Sequence, residues 1–93
     1  MLKAKHGRKY LSDLRRLREN GKDTSKLDTL IDMLLEGKRL PECYRDHQLK
    51  GDLRNYRDAH IEPDWLLIYR VVGKHLLLMR TGTHVEVFRK FRN

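Results

Sequence analysis

Two hydrophobic periods meet near residue 41, and the change between them limits the folds open to this chain more than any other feature. Before it, apolar residues keep helical spacing. Leu11, Leu14 and Leu17 fall on one stripe with Tyr10 beside them, and Leu27, Leu30, Ile31, Leu34 and Leu35 follow the i, i+3, i+4, i+7, i+8 pattern of a buried face. Asn20-Gly21 ends the first helix, Asp23, Thr24 or Ser25 can cap the second, and Gly37 with Pro41 stops it. After the loop from Pro41 to Gly51 the period is that of strands. Leu53 to Ile61 alternates with polar residues. Trp65 to Val72 is almost continuously apolar, as in a central strand covered on both faces, and Leu76 to Thr81 supplies a third. Glu62-Pro63-Asp64 and Gly73-Lys74 are too short for parallel crossovers, so the strands should form an antiparallel meander. The expectation is an α+β fold over residues 1–93, a single domain with two N-terminal helices packed on one face of a small antiparallel sheet.

A chain of 93 residues has a thin core. Its 21 Lys and Arg against 13 Asp and Glu give a formal charge of +8, which suits polyanionic partners. The longest apolar run, Trp65 to Tyr69, is far too short to span a bilayer, and Met1-Leu2-Lys3 leads into charged sequence without a signal peptide. Nucleic acid is therefore the expected partner rather than membrane, and the cytoplasm the expected location. Cys43 is alone, without a second cysteine for a disulfide or a zinc site. Arg8, Lys9, Arg15, Arg16, Arg18 and Lys22 form the outer face of the helical pair, a solvated face by default and a phosphate-binding face as the alternative.

The meander itself points to a site. With strand one up, two down and three up, the end of the first and the exit of the third lie at one end of the sheet, so His60 and Asp64 approach Thr83 and His84. Asp58 shares a strand face with His60, being two residues away. The outer two strands are about 10 Å apart, a gap that side chains from each can close around one phosphodiester. His47 in the preceding loop can join, and Arg80 lies near the end of strand three. Cleavage of RNA by attack of the ribose 2′-OH needs a base for that proton, an acid for the departing 5′-oxygen and a cation for the extra charge. Histidine, with an ordinary pKa near 6.5, serves as either acid or base around neutrality. Aspartates orient the rings. No metal is required, and no H-E-x-x-H spacing occurs, which makes a metal site the weaker alternative. Each residue also has a plainer reading. A single histidine is usually a surface residue, Asp58 can pair with Arg57, and Asp64 can end a turn; it is their convergence that favours chemistry. His6 and His75 are read as surface residues, and Trp65, Tyr69 and Phe91 as packing. Tyr56 and Phe88 are the aromatic candidates for contacting a base.

The runs Tyr44-Arg45-Asp46-His47-Gln48-Leu49-Lys50-Gly51, Tyr56 through Tyr69, and Arg80-Thr81-Gly82-Thr83-His84 resemble the YafQ family of the RelE/ParE toxin superfamily, most strongly over residues 44 to 88. The resemblance implies a RelE-like fold and ribosome-dependent endoribonuclease activity on mRNA. It also implies contact with ribosomal RNA and neutralisation by a DinJ-like antitoxin. Carried onto matching positions, its functional residues are His47, Asp58, His60, Asp64, His84 and Phe88, with Arg80 added as a phosphate ligand. His84 is the first choice for proton transfer. The alternatives are a catalytically silent module of the same fold that binds RNA or its antitoxin, and a ParE-like gyrase poison, which has no evident need for three histidines around one cleft. The chain runs past the family pattern as Arg89-Lys90-Phe91-Arg92-Asn93, and the free protein is expected to be monomeric.

Overall fold

The computed structural model describes the backbone of residues 1–91 and the side chains of residues 1–88. Strand β1 (Lys3–His6) leads into helices α1 (Arg8–Glu19) and α2 (Ser25–Leu35). A 3₁₀ turn at Glu42–Tyr44, the two-residue strand β2 (His47–Gln48) and a second 3₁₀ turn at Gly51–Leu53 follow. Strands β3 (Arg57–Glu62), β4 (Trp65–Val72) and β5 (His75–Gly82) form the expected meander, and α3 (His84–Phe91) ends the described chain. The sheet has the order β1-β5-β4-β3-β2, antiparallel except where β1 lies parallel to β5, with Lys3 opposite His75 and His6 opposite Leu78.

The long apolar run of β4 reflects burial on both faces. Trp65, Leu67 and Tyr69 point into the main core with Tyr10, Leu17, Leu27, Leu30 and Leu34 from α1 and α2, while Leu66 and Ile68 point the other way and meet Val87 of α3. The sheet is therefore covered on one face by two helices and partly on the other by a third. No helix among the described residues is long and apolar enough to cross a membrane.

The structure departs from the sequence reading in four places. β1 was not foreseen, because Lys-Ala-Lys-His carries no apolar alternation; its charged side chains suit an open sheet edge. The stripe of α1 that is buried runs Tyr10, Asp13, Leu17, whereas Leu11 is exposed. Leu53 belongs to a 3₁₀ turn, so β3 begins at Arg57. α3 is the last difference. Its start is fixed by a reciprocal capping box, in which the Thr83 amide donates to Glu86 Oε1 at 3.0 Å and the Glu86 amide donates to Thr83 Oγ1 at 3.2 Å. The packing expected of Phe91 and any role of the basic tail fall on side chains or residues outside the described ones.

Candidate active site

The sequence-derived cluster assembles on the sheet face opposite α1 and α2. His60 is in register with Leu66, and Asp58 with Ile68, which places both on the α3 side. β2 adds His47 directly across from Asp58. α3 adds His84 as its first residue. The result is a row of three imidazoles: ring centroids are 6.1 Å apart between His47 and His60 and 5.6 Å between His60 and His84. Phe88, one turn along α3, lies 6.2 Å from the ring of His84. His6 and His75 stay out of the row, and Cys43 is exposed.

Each histidine is held differently. The carboxylate of Asp64 accepts from the His84 amide at 3.0 Å and lies 2.7 Å from its ring Nδ1, so Nδ1–H is committed to Asp64 and Nε2 lies on the far side of the ring. Those two contacts, the amide first, hold the Asp64 carboxyl below the usual carboxylate range. His47 Nδ1 lies 2.8 Å from the Arg45 carbonyl and 2.9 Å from Asp58 Oδ1. Only the first is aligned as a hydrogen bond: Asp58 Oδ1 is buried with no hydrogen-bond partner, and so is Nδ1 of His60. Burial pushes the Asp58 carboxyl up, opposed by the neighbouring His47, His60 and His84. Within the histidine row, then, Asp58 Oδ1 meets His47 only as an ion-pair neighbour, and His60 Nδ1 is buried without a hydrogen bond.

Arg80, expected to face the phosphate, is placed elsewhere. It is 2% exposed, and its guanidinium donates to both oxygens of Asp13 on α1, from Nε at 2.6 Å and from Nη2 at 3.0 Å. That expectation is corrected: Arg80 ties α1 to β5. Arg16, expected on the solvated face, is half-buried and lies between the two helices, with Nη1 3.0 Å from Asp13 Oδ1 and Nε 3.1 Å from Glu86 Oε2. Glu86 thus caps α3 with one oxygen and meets α1 with the other. The chain passes under this pair at Gly82, whose φ is +151°; a Cβ there would come within 2.8 Å of Glu86 Oε1 and 2.9 Å of Arg16 Nη2. Gly82→Ala is expected to separate Arg16 from Glu86, loosen the first turn of α3 and lower stability by about 1–3 kcal/mol, measured by thermal melting.

Sequence reasoning also missed Asp46, which accepts from the Tyr69 hydroxyl at 2.5 Å and from Arg57 Nη2 at 3.1 Å. This network holds the segment leading into β2, and so helps to place His47. Tyr69, read as packing alone, is buried but also anchors a polar group, and Arg57 pairs with Asp46 rather than Asp58. A cavity of about 620 Å³ beside Arg57 and Tyr69 contains none of the histidines. A second, of about 560 Å³, adjoins the row and is bordered by Tyr56 and Phe88.

Residues 2–89 match the family described as the bacterial toxin of type II toxin–antitoxin systems, YafQ. The chain is 44% identical over 80 residues to the mRNA interferase toxin YafQ of Escherichia coli K12, covering 85% of this chain and 87% of that protein. Its fold is similar to YafQ in the E. coli DinJ–YafQ complex, with a TM-score of 0.88 and 37% identity over 95% of this chain and 99% of the other. It is also similar to a copper-bound mutant toxin from Helicobacter pylori, with a TM-score of 0.92 and 38% identity over 95% and 100% of the two chains. Among the described residues of this chain, no group of three or more His, Cys, Asp or Glu is arranged to hold a metal ion.

Proposed function

The chain belongs to the YafQ family of bacterial toxins of type II toxin–antitoxin systems, and on that premise we propose that it is an mRNA interferase, an endoribonuclease that cuts messenger RNA on the translating ribosome. The observation that carries the proposal is the row of His47, His60 and His84 with Asp64 fixing the outer ring. In the proposed reaction the 2′-oxygen attacks the adjacent phosphorus, a base takes its proton, and the bond to the 5′-oxygen breaks as an acid protonates it. The products are a 2′,3′-cyclic phosphate and a free 5′-hydroxyl. His84, with Nε2 directed away from Asp64, is the leading proton-transfer group, and His60 and His47 are the candidates for the complementary step. With Arg80 engaged by Asp13, the charge of the phosphorane falls to protonated imidazole rather than to a guanidinium.

Dependence on the ribosome follows from economy of means. The site is open and its acid–base groups are modest, so it gains most from a substrate already held in register. A net charge of +8 suits docking against ribosomal RNA, and the ribosome places the protein's work in the cytoplasm. A DinJ-like antitoxin is the proposed neutralising partner, as the E. coli relative is complexed with DinJ. Without it the protein is proposed to be monomeric.

Expression without an antitoxin tests this reading. Growth should arrest, and primer extension should find new 5′ ends in translated messages that vanish when the start codon of the message is removed. Arrest without new 5′ ends would sink the proposal. Asp64→Asn keeps the shape of the carboxylate but removes its charge, and is expected to slow cleavage by about 10–100-fold, read from the time course of the same 5′ ends.

A further inference from the structure

We infer that Asp46 is a positioning residue for His47: clamped on the opposite face of the sheet, it fixes the Arg45 carbonyl that takes the ring Nδ1–H, and so keeps that ring off the buried carboxylate of Asp58. The inference rests on the ribonuclease reading above. Strand β2 has little else to hold it. It is two residues long and lies at the edge of the sheet, and the His47 side chain is 56% exposed. The clamp is firmer. Asp46 Oδ1 accepts from the Tyr69 hydroxyl, and its two oxygens accept from Nε and Nη2 of Arg57 at 3.3 and 3.1 Å. Arg57 and Tyr69 are in register on β3 and β4, and Tyr69 is buried in the core beneath α1 and α2. Consecutive residues of an extended chain point to opposite faces, so holding Asp46 on that side presents His47 on the other.

The turn before His47 shows what the clamp has to hold. Among the described residues Arg45 is the one non-glycine with a positive φ, +47°, in the left-handed region that residues other than glycine rarely adopt. In that conformation its amide closes the 3₁₀ turn on the Glu42 carbonyl at 2.9 Å, and its own carbonyl lies 2.8 Å from His47 Nδ1. A carbonyl only accepts, so Nδ1 donates. Asp58 Oδ1 is a rival acceptor 2.9 Å from the same nitrogen, and it is buried without a hydrogen bond of its own. The choice between the two matters for chemistry. A carboxylate that takes Nδ1–H favours the charged imidazolium, which cannot accept a proton, whereas a neutral carbonyl does so far less. The other titratable groups on this side are His60, whose ring is 6.1 Å away, with His84 and its partner Asp64 beyond it.

The test is the titration of the His47 ring, followed by NMR of its Cε1–H, beside the pH–rate profile for cleavage of a message on purified ribosomes. In Asp46→Ala both the midpoint and the acidic limb should move up by about one pH unit, and kcat at about pH 7 should fall about tenfold with KM nearly unchanged. Tyr69→Phe, which keeps every charge and the buried ring, should shift the midpoint the same way. If Asp46 acted only through its own charge, removing it would move the midpoint down and Tyr69→Phe would leave it in place; either result overturns the inference. In an Asp58→Asn background, with the charge of the rival acceptor gone, Asp46→Ala should no longer move the midpoint, and an undiminished shift there overturns it too. The Arg57 side chain is 41% exposed, so Asp46→Ala strands no buried cation and is expected to keep a native spectrum. Absence of cleavage by wild type at every pH sinks the ribonuclease reading instead, while the ring titration still decides the positioning role.

Discussion

His84→Ala is expected to reduce mRNA cleavage by about 10²–10⁴-fold while leaving the melting temperature nearly unchanged. The two halves of that expectation come from the same placement. The His84 side chain is 49% exposed at the start of α3, so truncating it opens no cavity, and the capping box that starts the helix uses Thr83 and Glu86. What is lost is a half-exposed ring whose Nδ1 is committed to Asp64 and whose Nε2 is the atom proposed to transfer the proton. Primer extension on messages from induced cells, with thermal melting of the purified variant, separates chemistry from folding. Undiminished cleavage with a native melt would remove His84 from the role given to it.

The largest effect on stability is expected at Asp13. This carboxylate is 2% exposed in the middle of the buried stripe of α1, and it accepts from Arg80, from Arg16 and from the Thr81 amide, the last at 3.1 Å. Asp13→Ala leaves the buried Arg80 cation without its partner, and Nη1 of Arg80 already lacks one. Breaking a buried pair from one side costs about 3–5 kcal/mol. At about 5 °C per kcal/mol for a domain of this size, the melting temperature should fall by about 15–25 °C. Replacing both partners, as Asp13→Leu with Arg80→Met, should restore most of the loss, because no charge is then stranded. A double variant as unstable as the single one would show that volume, not charge, governs the site.

The same group predicts an acid dependence. Burial raises the Asp13 carboxyl, but hydrogen bonds from Arg80, Thr81 and Arg16 outweigh burial and leave it below its ordinary value. A folded pKa below the unfolded one contributes stability that is present above the ordinary carboxylate range and is lost as pH falls through it. Wild type should therefore lose stability between about pH 4 and more acidic conditions, and Asp13→Ala should lose less over that interval, by melts across the range.

The meander and the convergence of His60, Asp64 and His84 were legible because both follow from local patterning. Strand period, short turns and the alternation of faces are written in consecutive residues. What escaped depends on partners distant in the chain. β1 is a strand only because β5 offers it an edge, and nothing in Lys-Ala-Lys-His demands one. Arg80 looked like a phosphate ligand because its position near His84 was readable, whereas its partner Asp13 lies 67 residues earlier. A charged residue at helical spacing between Tyr10 and Leu17, in the middle of an apolar stripe, was the available sign. Thr83 and Glu86 stood at capping-box spacing, so α3 was open to the same reasoning that found the first two helices.

The parallel pairing of β1 with β5 has a consequence for how the protein is made. Strand β1 can be paired only by one that lies far later in the chain, with Lys3 opposite His75, and His84 follows later still. During translation the first residues must wait unpaired while most of the chain is added, and neither the sheet nor the histidine row can close on a nascent chain whose last strand is still inside the ribosome. Assembly of the sheet and of the histidine row is thus set by the late strand β5, without which β1 has no neighbour to pair with.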